Sequence, residues 1–261
     1  LKNRPAAQNV FQAIGVEPII NCRGTFTIIG GSVERPEVLE AMDAASGFFV
    51  QYDELATALG ERLAGITGAE WGLIASGCAA GIKHVTTACV TGGDPEKLVR
   101  VPDLRGLDKT EVIVPRYSRN VYDHAVRNVG VDIVMVETAD ELEQAINPRT
   151  AMIYLTTGGG SAKDQPLSLE VIAGIANPRD IPILVDAAAE NLTIPNIHLE
   201  QGATIVAYKP CADHSVRDLC SDAKTSSCRR GRPARRIMVQ GATTRSARRR
   251  WWACSPPWRP G

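Results

Sequence analysis

The chain has 261 residues, 44% of them hydrophobic, enough for a substantial core built as one large domain or two small ones. Its formal net charge of zero conceals two unlike parts: residues 1–208 hold 16 Lys+Arg against 26 Asp+Glu, and residues 209–261 hold 13 against 3. An acidic body argues against a wide nucleic-acid footprint, which needs clustered Lys and Arg, and no apolar run reaches membrane-spanning length.

From Pro36 to Ala45 and from Tyr52 to Ile66 the apolar positions recur at three and four residues, as in Leu55, Leu59, Leu63 and Ile66, so both segments read as amphipathic helices, the second ending at Gly68. Gly72 to Ala75 is a short apolar strand, followed by the small-residue turn SGCAAG and a helix from about Ala79 to Val90. Further strands are expected at Glu111 to Val114, Val131 to Val136, Ala151 to Leu155, Ile183 to Asp186 and Thr204 to Ala207. Thr138 is placed to cap the helix of ADELEQAI, with Glu141 three residues on to complete a capping box. Ser168, Val171, Ile172 and Ile175 mark another helix before Pro178. Strands rich in Val and Ile that alternate with helices indicate an α/β fold: a mixed, mostly parallel sheet with helices on both faces.

The segment from Lys209 to Gly261 differs. It contains only four Ile, Leu or Val residues (Val216, Leu219, Ile237 and Val239), too few for helices or strands with a buried face, and is expected to be largely disordered. Its Arg residues, including Arg248 to Arg250, lie near Trp251, Trp252 and Trp258, a mixture able to stack on bases and neutralise phosphates. Any nucleic-acid binding is therefore expected from this tail alone.

Seven cysteines, at 22, 78, 89, 211, 220, 228 and 254, form no CxxC pair and have no histidines at zinc-ligand spacing, so no metal site is expected. The odd count, with neither a signal peptide nor a spanning segment, points to a reducing, cytoplasmic setting. Cys89 reads as a small core residue.

Three features in chain order suggest chemistry. Ser76, Gly77, Cys78 and Ala79 follow a strand and open a helix, where small residues let backbone N–H groups approach a phosphate. Asp186 closes the strand Ile183 to Val185, and Lys209 follows the strand Thr204 to Tyr208 after an interval long enough for one crossover connection, so both belong at the same carboxyl edge of a parallel sheet. A phosphate cradle, an acid facing a ring nitrogen and a lysine able to hold an aldehyde covalently are what pyridoxal 5'-phosphate (PLP) requires. Each has a plainer reading: the turn as an ordinary helix start, Asp186 as a cap, Lys209 as a surface residue. His124 or Tyr122 fits stacking on a cofactor ring, or equally a packed helix position. Thr156 and Thr157 fit a phosphate or substrate contact, or simply a strand end. Asn21 and Arg23 fit a substrate carboxylate or a surface ion pair.

With those residues in place, positions 1–208 resemble the selenocysteine synthase-like family of fold-type I PLP enzymes. The resemblance rests on INCRGTFTIIGGS, YDELATALGERLAGITGAE, ASGCAAG, CVTGGDPEKL, VPRYSRNVYDHAVRNVG and ILVDAAAE. It implies a large domain with a mixed seven-stranded sheet, a smaller carboxyl-terminal domain, homo-oligomers, and a small amino substrate. Lys209 is then cofactor anchor and proton-transfer base, and Asp186 the partner of the ring nitrogen. Ser76, Gly77, Cys78 and Ala79 are the phosphate cradle, and His124 a ring contact. The implied activity is removal of the Cα proton followed by β-elimination, either as an ammonia-lyase on an amino acid or amino sugar acid or, as the alternative, selenium transfer onto seryl-tRNA. The acidic body favours the lyase.

Around the lysine the family pattern is Tyr-Ser-Gly-Gly-Lys, whereas here Tyr208 meets Lys209 directly and PCADHSVRDL follows. If each codon is redrawn from the last base of one triplet and the first two of the next, residues 209–227 permit AVRGPQCAGLVLGRKDLV, the expected family continuation. From about residue 234 the same shift permits PPHHGPGRDNKVGKEEMVGMLAAVEAW. The expectation is a frameshift near codon 209 that leaves 209–261 out of frame and the small carboxyl-terminal domain missing. The rival reading of function is accordingly a catalytically dead product.

Overall fold

A computed structural model of the protein describes residues 7–22, 36–157, 165–209 and 237–240. Three helices come first: α1 (Ala7–Gln12), α2 (Pro36–Ser46) and α3 (Tyr52–Thr67). Then follow β1 (Trp71–Ile74), α4 (Cys78–Thr91), α5 (Pro95–Leu98), β2 (Glu111–Pro115), α6 (His124–Arg127), β3 (Asp132–Val136), α7 (Ala139–Ala145) and β4 (Thr150–Thr156). The remaining elements are α8 (Leu169–Ala176), β5 (Ile183–Asp186), α9 (Ile197–Glu200), β6 (Ile205–Tyr208) and β7 (Ile237–Gln240).

The strands form one seven-stranded sheet in the order β1-β7-β6-β5-β4-β2-β3. β3, β2, β4, β5 and β6 are mutually parallel, while β7 runs antiparallel to both β6 and β1. Two reversals return β1 to the direction of β6, so the carboxyl ends of β1, β2, β4, β5 and β6 share one edge.

Strand alternation divides the core in two. Val112, Val114, Met152, Tyr154, Leu184, Ile205 and Ala207 face α4 and α6, packing against Ile82, Val85, Ala125 and Val126. Ile113, Ile153, Leu155, Ile183, Val185, Val206 and Tyr208 face α7 and α8, against Leu142, Leu169, Ile172 and Ala176. Helices thus cover both faces, as expected for strands with near-continuous apolar runs. Each fully buried Val, Leu or Ile contributes roughly 1.5–3 kcal/mol relative to exposure. Gly60 lets α3 lie directly on β1, because a Cβ there would sit 2.4 Å from the Trp71 ring.

The capping expectations hold in part. Thr138 Oγ1 accepts from the Glu141 N–H at 3.2 Å and Ser168 Oγ accepts from Val171 at 3.4 Å. Glu141 Oε2 accepts instead from the N–H of Glu137 at 2.7 Å, one residue before the cap, so the capping box closes one position early. Gly68 ends α3 in the left-handed region at φ 71°, and its N–H reaches the Ala64 carbonyl.

One expectation for the tail is corrected. Ile237–Gln240 forms a strand, although the segment was expected to hold none. Ile237 and Val239 are two of its four aliphatic β-formers and adjoin Met238, and the space between β1 and β6 offers hydrogen-bonding partners on both sides. Residues 210–236 and 241–261 lie outside the described residues, as does Arg23, so the expected disorder of the rest of the tail falls there.

Candidate active site

The shared carboxyl edge gathers most of the residues singled out from the sequence. At the end of β1 the chain turns through Ser76 and Gly77 into α4. Gly77 has φ 135° and ψ 150°, a region open essentially to glycine, and no side chain caps the helix it precedes. The first turn of α4, at Cys78 and Ala79, therefore begins without a side-chain cap from the residue before it. Ser76 and Ala79 are exposed, whereas Gly77 and Cys78 are buried.

Asp186 is the centre of the arrangement. It ends β5 with 6% of its surface exposed, and its carboxylate accepts three hydrogen bonds. The Tyr154 hydroxyl donates to Oδ2 at 2.9 Å, while the Ala188 N–H at 3.1 Å and the Cys78 thiol at 3.4 Å donate to Oδ1. Its backbone is fixed as well, since Thr157 N–H donates to its carbonyl at 3.2 Å and Ala187 N–H to the Ala207 carbonyl at 2.9 Å. Burial pushes the carboxyl above its ordinary value, opposed by the hydrogen bonds from Tyr154, Ala188 and Cys78. Burial, followed by the adjacent Asp186 charge, also pushes the Tyr154 phenol upward, so its hydroxyl stays a donor.

Cys78 was expected to contribute only to a phosphate cradle. Its backbone holds that position at the first turn of α4, but its side chain turns to Asp186 across 108 positions of sequence. It thereby joins the helix start to the acid.

Lys209 lies one residue past β6. The parallel register pairs Asp186 with Ala207, and Ala207 shares the α4 side of the sheet with Leu184 and Tyr154. Two residues further, the alternation assigns Lys209 to that same face. Standard strand spacings place it roughly 6–7 Å along the strand direction and about 5 Å across from Asp186. Lys209 is half-buried.

The remaining candidates diverge. His124 opens α6 as an exposed residue, its Nδ1 3.3 Å from Asn128 Nδ2, and is not a hydrogen-bond partner of Asp186. Tyr122 is 64% exposed. Thr156 spends its hydroxyl locally, donating to the Ser118 carbonyl at 3.1 Å and accepting from Asn120 Nδ2 at 3.4 Å, which ties the loop after β2 to β4. Asn21 is exposed in the segment after α1.

Tyr154 went unmarked among the sequence candidates. The available signal was a hydroxyl-bearing aromatic inside the apolar run AMIYL, since a buried Tyr oxygen needs a partner. The segment VYDHAVR hides another buried acid: Asp123, its side chain 1% exposed, accepts from Arg119 Nε and, at 2.9 Å, from Arg127 Nε. Beyond β5, Glu190 Oε2 lies 2.6 Å from His198 Nε2, and Asn196 Nδ2 donates to the Tyr208 hydroxyl at 2.9 Å.

This sheet order, with a buried acid at its carboxyl edge and a glycine-led helix start beside it, is the PLP-dependent transferase-like fold. Among solved structures the chain is similar to D-glucosaminate-6-phosphate ammonia-lyase, with a TM-score of 0.77 and 28% identity over 95% of this chain and 64% of that one. Sphingosine-1-phosphate lyase of Burkholderia pseudomallei K96243 shares the fold alone, with a TM-score of 0.52 and 13% identity over 81% of this chain and 51% of that one. Among curated proteins it is similar to D-glucosaminate-6-phosphate ammonia lyase of Salmonella typhimurium, 34% identical over 191 residues, 70% of this chain and 52% of the relative. A 5'-C-glycyluridine monooxygenase-decarboxylase of Streptomyces sp is 29% identical over 191 residues, 69% of this chain and 48% of the relative. The chain spans about half the length of the curated relatives it matches. No family model matches it. PLP is the cofactor of the enzymes that share this fold. No helix among the described residues is long and apolar enough to cross a membrane.

Proposed function

We propose that the carboxyl edge is a PLP site and that its chemistry is ammonia-lyase-like elimination on a small amino acid or amino sugar acid. The observation that carries this is the buried Asp186 carboxylate, bonded to the first residue of α4 and in register with β6 two residues before Lys209. The residues fit the cofactor. The carboxylate is 6% exposed and its three donors are neutral, with no ion pair to a cation among the described residues, so a protonated ring nitrogen suits it as a partner. Gly77, with no side chain to fill the turn, leaves the start of α4 open to a phosphate.

Bound there, PLP supplies a sink for the electron pair left when a bond to the substrate Cα breaks. Asp186 keeps the proton on the ring nitrogen. The backbone of Ser76, Gly77, Cys78 and Ala79 holds the phosphate, and Lys209 anchors the cofactor and takes the Cα proton on Nζ. His124, exposed at the start of α6, keeps its proposed role as a ring contact. An ammonia-lyase is favoured over selenium transfer to seryl-tRNA by the acidic body and by the 34% identity to an ammonia lyase. The resemblance to the selenocysteine synthase-like family supports a cytoplasmic setting, with homo-oligomers in its intact members.

A second reading has its own support. The composition break at Lys209, with the family continuation legible in a shifted frame, favours an out-of-frame tail and a chain without turnover, whose Arg and Trp residues retain nucleic acid non-specifically.

Purified full-length chain mixed with PLP tests both. A near-visible absorbance band, and a borohydride-fixed adduct found on Lys209 by mass spectrometry, are expected and should vanish in Lys209→Ala. Ammonia release from amino sugar acids then reports turnover. A featureless spectrum with salt-sensitive RNA retention, lost on deleting 210–261, would reverse the assignment. Genomic sequence across codons 200–261 decides the frame.

A further inference from the structure

We propose that Tyr154 and Cys78 are positioning residues that aim the Asp186 carboxylate at the cofactor ring nitrogen and keep it ionised, an inference that rests on the PLP reading above. Tyr154 is a fully buried residue between Ile153 and Leu155 of β4, where phenylalanine would fill almost the same volume. Its hydroxyl brings a desolvation cost that only a partner offsets, and that partner is Asp186 Oδ2 at 2.9 Å. The thiol of Cys78 and the N–H of Ala188 occupy the other oxygen.

Each oxygen thus carries a donor from a different element: Oδ2 from β4, Oδ1 from α4 and from the residue pair after β5. The carboxylate cannot rotate without breaking bonds to at least two of them. All three donors are neutral, so they stabilise the anion while leaving its charge for a cation on the open side. Removing one favours the neutral acid, which cannot hold a proton on a ring nitrogen.

Two measurements on the full chain test this. In the protein without PLP, 13C-carboxyl NMR of labelled Asp follows the Asp186 titration, and Tyr154→Phe is expected to move its midpoint upward. With PLP, the same substitution is expected to weaken binding about ten- to a hundredfold, the cost of one hydrogen bond to a charged group. The loss should shrink as pH rises, because a higher pH restores the anion, whereas a packing defect would be insensitive to pH. Tyr154→Phe should add no further loss in an Asp186→Asn background. If Tyr154→Phe does not fold, Cys78→Ala and Cys78→Ser replace it, with serine expected to restore what alanine loses.

An unmoved midpoint, or a pH-independent loss of PLP affinity, overturns the positioning role. Failure of the wild-type chain to bind PLP removes the cofactor reading instead. The titration without PLP then decides the role of the donors by itself.

Discussion

Replacing Asp186 with asparagine should make the cofactor-free protein more stable while it cripples PLP binding. The carboxylate is 6% exposed, and desolvating an ion costs several kcal/mol even after relaxation. Hydrogen bonds to a charged group return about 1.5–3 kcal/mol each for good geometries, and of the three here one is a weak thiol donor at 3.4 Å. The upward displacement of the carboxyl shows that burial outweighs the donors. An isosteric amide removes the charge and its desolvation cost and should raise Tm at neutral pH, each 1 kcal/mol of gain being worth roughly 2–4 °C for a domain of this size. A raised acid contributes stability that is complete below its ordinary value of 3.8 and is lost as pH climbs through its folded value. The gain of Asp186→Asn should therefore be near zero at about pH 4 and open toward neutrality. Calorimetric scans of both proteins from acid to neutral pH provide the assay. A variant that melts lower than wild type at neutral pH would refute the reasoning, because it would show that the fold favours the anion even without a cation beside it.

Three further outcomes are expected. Gly77→Ala forces a side chain onto φ 135° and should cost about 1–3 kcal/mol in urea unfolding and weaken PLP binding in fluorescence titration. Thr138→Ala removes the cap of α7 and should cost about 1 kcal/mol in urea unfolding, with PLP affinity unchanged. Glu190 is held below its ordinary value of 4.5 chiefly by the hydrogen bond from His198, a contribution present above that pH and lost as pH falls through the lowered value. With its side chain 30% exposed, Glu190→Gln should cost at most about 1 kcal/mol at pH 7, and the gap should narrow in unfolding experiments as pH falls below 4.5.

Much of the fold was legible because its strands are short, aliphatic and separated by amphipathic helices. Ile183–Asp186 was placed to the residue, and β1, β2, β3, β4 and β6 to within one or two. Gly77 and Asp186 announced themselves by residue type at the ends of strands. Tyr154 did not, because a tyrosine in AMIYL looks like core until the oxygen opposite it is known. Cys78 was placed correctly at the helix start, yet its thiol partner could not be read, since nothing local in SGCAAG indicates an acid 108 residues away. β7 was missed because composition averages over a segment, whereas a strand needs only four residues and a vacant place between two others.

Periodicity and strand-end chemistry, both local properties of a chain with a two-residue or 3.6-residue repeat, were enough to define a mixed α/β sheet with an acid and a lysine at one edge. Which donors grip that acid, which side of the sheet it faces, and that β1 returns to the direction of β6 were decided only by tertiary structure. Those facts depend on which strands become neighbours, and pairing between distant segments is set by how the whole core closes.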